Sequence, residues 1–277
     1  FGISFFTLIG VRQIEGRSIQ HRMGVYCKKF ALGFVLICAQ LTLSSASAQT
    51  SEPAAETFQD TKALIEQADS AYKKGDFQQA IRDFTQVIAL KPNESAAYAL
   101  RAHAYNRLKD YSSAIRDFTQ AIALNPNDAG AYSSRGIAYY NLKDYSSVIR
   151  DYTQVIALNP NDADAYVHRG IAYNLLKDDS SAIRDYNQAI ALNPNDAEAY
   201  ALRAHAYNGL KDYSSAIRDF TQAIFLNPNY AEAYNNRAWS LALKNDYRSA
   251  TRDARKACSL GECKMLEWLG NNGGLRD

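Results

Sequence analysis

YSSAIRDFTQAIALNPND, residues Tyr111–Asp128, decides the fold because the chain writes it again and again. It returns as Tyr145–Asp162 (YSSVIRDYTQVIALNPND), Asp179–Asp196 (DSSAIRDYNQAIALNPND) and Tyr213–Tyr230 (YSSAIRDFTQAIFLNPNY), with a more diverged copy at Phe77–Glu94. Pro92, Pro126, Pro160, Pro194 and Pro228 keep the register, each 34 residues from the last. A fixed period of that length marks stacked repeats, in which a unit buries its apolar faces only against its neighbours. The units run 61–94, 95–128, 129–162, 163–196, 197–230 and a degenerate 231–264.

Each unit carries two amphipathic helices. In the second, Tyr98, Ala102, Tyr105 and Leu108 form one stripe at helical spacing, and Ala114, Ile115, Phe118, Ala121, Ile122 and Leu124 form another. Ser112, Ser113, Arg116, Asp117 and Gln120 fall on the opposite, solvated face. Pro126 ends the second helix by removing a backbone donor and restricting the residue before it. Asp128 and Asp110 are placed to cap the helices that follow them, and Lys109-Asp110 makes the short turn within the hairpin. The predicted class is all-α, a solenoid of helix-turn-helix units.

These residues give the chain a specific likeness: it resembles the tetratricopeptide repeat proteins. The family pattern falls on Tyr132, Arg135, Gly136, Tyr139, Val148, Tyr152 and Pro160, and on Tyr98, Arg101, Ala102, Tyr105, Ala114, Phe118 and Pro126. The likeness covers residues 61 to about 264 and implies a right-handed superhelix whose first helices line a concave groove. The first unit is looser, with Gln67 and Ala68 in the Arg-Gly slots. Where the family has leucine, this chain has Arg101, Arg135, Arg169, Arg203 and Arg237. Asp83, Asp117, Asp151, Asp185 and Asp219 recur at the same period, so an arginine–aspartate ladder along the solenoid is expected.

Outside the repeats, residues 1–22 are expected to be upstream sequence absent from the mature protein. Met23–Ala48 reads as a secretory signal peptide: Lys28-Lys29, the apolar run Ala31–Leu43 and an A-x-A site ending at Ala48. That run is too short for a bilayer core. Residues 49–60 (QTSEPAAETFQD) are expected to be a flexible leader, and Lys264–Leu269 a short capping helix ahead of the tail. Cys258 and Cys263 remain after cleavage; an even pair in an exported chain points to a disulfide, with two free thiols as the alternative. Such a bridge needs a helix break at Gly261.

The net charge is +2, but 1–48 holds five of the 31 basic and one of the 29 acidic residues, so the remainder carries −2. Nothing in that balance draws the repeats to nucleic acid or an anionic membrane. No P-loop, GxSxG, HExxH or EF-hand pattern occurs, and His103 and His205 are one repeat position copied. No catalytic residue, metal or cofactor is expected.

By the family's geometry, the groove is lined by Leu100, His103 and Asn106, then Ser133, Ser134, Ile137 and Tyr140. Val167, His168, Ile171 and Asn174 follow, then Leu202, His205 and Asn208, and last Asn235, Asn236 and Trp239. This set is mainly neutral and lacks the Lys/Asn/Arg clamp with which some members hold acidic chaperone tails. The expected function is an exported, non-enzymatic scaffold binding a neutral peptide or amphipathic helix of a partner protein. The alternative is a structural subunit of a cell-envelope or secretion complex docking through its convex face. A repeat-built hydrolase of the Sel1-like kind is more remote, because those repeats carry a cysteine pair each.

Overall fold

The computed structural model describes residues 53–272, which among them hold thirteen helices and no strand. The signal-peptide assignment and residues 49–52 of the expected leader lie outside the described residues. The first unit pairs α1 (Pro53–Lys73) with α2 (Phe77–Leu90), and the second pairs α3 (Ser95–Arg107) with α4 (Tyr111–Leu124). The third joins α5 (Ala129–Asn141) to α6 (Tyr145–Leu158), and the fourth α7 (Ala163–Leu175) to α8 (Asp179–Leu192). The fifth has α9 (Ala197–Gly209) and α10 (Tyr213–Leu226), the sixth α11 (Ala231–Leu243) and α12 (Tyr247–Ser259), and α13 (Lys264–Asn271) closes the row. From α2 onward each helix packs on the next, so the contacts follow chain order. Helix α1 starts at Pro53, inside the expected leader, because proline at a first helical position gives up only an amide that no helix bond would use.

Local rules set every corner. Asp76, Asp110, Asp144, Asp178, Asp212 and Asp246 cap the second helices, each accepting a backbone N–H three residues on at 3.0–3.2 Å. Asp128, Asp162 and Asp196 do the same for first helices, while Glu94 and Tyr230 make no such bond. Each hairpin turns on one left-handed residue: Gly75, then Lys109, Lys143, Lys177 and Lys211, then Asn245. At the first lysine the Asp110 N–H reaches Tyr105 O and the Lys109 N–H reaches Asn106 O, so the helix-terminal carbonyls are satisfied within the turn.

The core is a row of aromatic rings from the second helices, Phe84, Phe118, Tyr152, Tyr186 and Phe220, each almost fully buried. Small residues on the first helices let the helices close over them. A Cβ at Gly136 would stand 2.9 Å from the Tyr152 ring, and one at Gly170 would stand 2.7 Å from Tyr186. Where the ring is Phe118 or Phe220, the residue in that slot is Ala102 or Ala204. In the sixth unit Ala254 stands where an aromatic would, and Met265 and Leu269 of α13 join its cluster. Helix α13 thus fills the hollow that the missing aromatic leaves in the sixth unit. Two expected assignments shift. Leu108 is 43% exposed, because it sits at the helix end and not on the stripe, and Asp117 is buried, not solvated.

No described helix is long and apolar enough to cross a membrane.

Candidate functional site

The five arginines are structural. Arg101, Arg135, Arg169, Arg203 and Arg237 each grip an aspartate with Nε and Nη2 at 2.6–2.9 Å. Their partners are Asp117, Asp151, Asp185, Asp219 and Asp253, so the aspartate belongs to the same unit and holds the preceding arginine, not the following one. Asp253 completes the series although its tripeptide reads T-R-D. Asp83 has no arginine and accepts from Gln67 and Gln79 instead. The third nitrogen crosses to the previous unit, where Nη1 donates to Thr85, Thr119, Thr153, Asn187 or Thr221 at 2.6–3.1 Å. A tyrosine three residues earlier lies under each guanidinium at 5.4–5.7 Å. The arginine side chains are only 14–18% exposed. A planar fork with five donors can satisfy a carboxylate and a neighbouring hydroxyl together, which a point charge cannot.

The opposite face of the first helices holds the hollows. One of about 340 Å³ is lined by Ile137, Tyr140, Val148, Tyr152, His168 and Ile171. The next, about 750 Å³, shares Tyr140 and Ile171 and adds Asn174, Leu202, His205 and Gly209 from first helices and, from other elements, Lys177, Asp179 and Tyr186. Ile137 and Tyr140 are 46% and 45% exposed, a strong exposure for large apolar groups. His168 stacks on Tyr152, with ring centroids 5.0 Å apart and planes at 24°. Burial pushes the Tyr152 and Tyr186 phenols well above their ordinary range, so both are neutral donors. The imidazoles of His103 and His205 lie edge-on to Phe118 and Phe220, and burial lowers their pKa from the ordinary value. This surface therefore presents mainly rings and amides, with Lys177 and Asp179 as the charged groups of the larger hollow.

The other expected groove residues are divided by the packing. Leu100 packs against the first-unit core. Ser133 bonds back to Gly130 O, while Ser134 and Val167 are half-buried. Asn106 keeps a buried carbonyl oxygen without a partner. Asn236 meets His205 at 3.0 Å, and Ser240 donates to Asn208. At the far end the groove is occupied by the chain itself: the Met265 N–H donates to buried Asn235, and Trp268 lies on Trp239 with centroids 4.9 Å apart. Asn235 and Trp239 are thus cap anchors and not open groove positions. Cys258 and Cys263 are bonded across the left-handed Gly261, joining the end of α12 to the start of α13.

Leu175, Lys177, Asp179, Tyr186, Gly209 and Leu210 line the larger hollow without having been expected there, and two of them, Asp179 and Gly209, depart from the repeat. Their signal was visible: DSS stands where three copies read YSS, and Gly209 is the one difference between 97–122 and 199–224. Among the described residues no His, Cys, Asp and Glu cluster is arranged to hold a metal ion.

Tetratricopeptide repeat models match residues 65–129 and then 129–162, 163–196 and 197–230 in turn. The chain belongs to the tetratricopeptide repeat family. As a tetratricopeptide repeat protein it is a protein-interaction scaffold, and the family's members are typically non-catalytic. Among solved structures it is similar to MamA, at 27% identity and a TM-score of 0.60 over 64% of this chain and 96% of that one. A tetratricopeptide repeat protein from Parabacteroides merdae shares the fold at 21% identity, TM-score 0.66, over 74% and 81%. YrrB, described as a tetratricopeptide repeat protein with an unusual peptide-binding site, shares it at 20%, TM-score 0.59, over 68% and 97%. No curated protein matches the chain.

Proposed function

We propose that this tetratricopeptide repeat chain is an exported scaffold that binds a segment of a partner protein along the first-helix face of its third to fifth units. The observation that carries the reading is the pair of abutting hollows joined at Tyr140 and Ile171, floored by rings and open to solvent. Mostly apolar concavities with a few placed polar groups are where proteins take up ligands, and a binding site for peptide is named for YrrB. The signal-peptide pattern of Met23–Ala48 supports export, as does the bonded cysteine pair, which persists in oxidising compartments. The test is crosslinking and capture from cell-envelope extract with the chain and its Tyr140→Ala and His168→Ala forms. Loss of the captured protein supports the groove. Capture unchanged in both, with helicity intact, overturns it.

One observation favours docking through the second-helix face, as a structural subunit would dock. Phe225 is 76% exposed where the matching position of earlier copies is Ala89, Ala123, Ala157 or Ala191. Capture that is lost in Phe225→Ala and kept in Tyr140→Ala selects that reading.

A further inference from the structure

In five of the six units the second helix opens on an aromatic residue: Phe77, Tyr111, Tyr145, Tyr213 and Tyr247. The fourth opens on Asp179, which is 8% exposed. The neighbouring first helix has changed to match. In the second unit Arg107 lays its guanidinium over the Phe77 ring at 5.0 Å. The same position in the fifth unit is Gly209, and a Cβ there would overlap the Asp179 carboxylate. A ring and a long side chain have thus been replaced by a small anion and a bare backbone, with the carboxylate lying where a side chain at Gly209 would start, and both residues line the larger hollow.

The carboxylate in that hollow is not neutralised from within. Among the described residues it forms no ion pair, and its hydrogen bond is with Asn174 Nδ2 at 2.7 Å. Lys177, the other full charge on the hollow, is exposed and its ammonium is not paired with Asp179. Water screens the exposed lysine far more than the buried carboxylate, so Asp179 is the less screened of the two charges on the hollow. Burying a charge is unfavourable unless it is paired, and breaking a buried pair is more costly still.

We propose that this hollow is a specificity station for a cationic side chain: a lysine or arginine of the partner segment, flanked by apolar residues, sets its charge on Asp179 and its neighbours on Ile171, Leu202 and Leu210. This rests on the groove reading above and adds the chemistry of the occupant. Gly209, lacking a side chain, makes the room in which the carboxylate sits, and Asn174 orients it. The otherwise near-identical second unit, with Arg107 over Phe77, is closed to such a group.

The test is an NMR titration of the whole isotope-labelled chain with three blocked pentapeptides, Gly-Leu-Xaa-Leu-Gly, where Xaa is arginine, glutamine or glutamate. The arginine peptide is expected to shift the amides of Asn174, Asp179 and Gly209 and to bind about tenfold more tightly than the glutamine peptide, as a charge-assisted hydrogen bond requires. Asp179→Asn, which keeps the shape, should remove that preference. So should the double change Asp179→Tyr with Gly209→Arg, which rebuilds the arrangement the chain uses at the second unit. Equal binding of the arginine and glutamine peptides, tighter glutamate binding, or a preference that survives Asp179→Asn each overturns the cationic station. If the glutamine peptide shifts the hollow as strongly as the arginine peptide, the groove reading stands while the station falls. If no peptide shifts these amides the station falls too, and capture with Tyr140→Ala decides the groove separately.

Discussion

At the scale of single residues, the ladder arginines and the ring-facing glycines carry the clearest consequences. Replacing Arg169 by leucine, the family's own residue, would leave Asp185 buried with its carboxylate unpaired. A loss of about 3 kcal/mol is expected in urea unfolding, and adding Asp185→Leu should recover most of it. Gly170→Ala gains about 1 kcal/mol of helix propensity but pushes a methyl into Tyr186, where overpacking costs about 1–3 kcal/mol. The expected net effect is a loss that Tyr186→Phe lessens, since without its hydroxyl the ring is freer to shift toward the arrangement of Ala102 and Phe118. His103 makes a pH prediction. Burial lowers its folded pKa, so the unfolded chain binds the proton more readily. Stability therefore falls as pH drops below about 6.5, the unfolded value, and His103→Gln should lessen the fall in melting temperature between pH 7 and 5, with His205, lowered by burial in the same way, contributing likewise.

At the scale of elements, each hairpin depends on a cap and one left-handed residue. Lysine is a poor choice for that conformation, which costs L-residues about 1–2 kcal/mol, yet Lys109, Lys143, Lys177 and Lys211 all adopt it. Lys143→Gly should stabilise the chain by about 1 kcal/mol, read by chemical unfolding, as Gly75 already does for the first hairpin. These corners were legible from sequence because capping and proline act over a few neighbouring residues. The ladder was legible only as a recurrence. Asp117 lies 16 residues after Arg101 and 18 before Arg135, and both distances lead to an adjacent helix. Packing chose the first and gave the second to Thr119.

At the scale of the whole molecule, a solenoid is held by nearest-neighbour interfaces, so its ends differ from its middle. The tail helix α13 covers the open face of the sixth unit through Met265, Leu269 and the Trp239–Trp268 contact. Reducing Cys258–Cys263 is expected to speed amide exchange in 264–271 while leaving 129–196 unchanged, as followed by mass spectrometry. Exchange that rises evenly along the chain would contradict such local anchoring. The same end explains why Trp239 is a poor probe of the groove: its substitution loosens the cap.

The amino-acid sequence by itself determined the period, the paired helices, their caps and the family, because each follows from short-range rules repeated with little change. Only the tertiary structure decided which of the expected groove residues face a hollow, which are spent on one another and which hold the tail. It also brought Asp179 and Gly209 together, 30 residues apart in the chain. The physical reason is that a hollow is made by what several helices leave unfilled, and unfilled space depends on side chains from successive units that no local pattern relates.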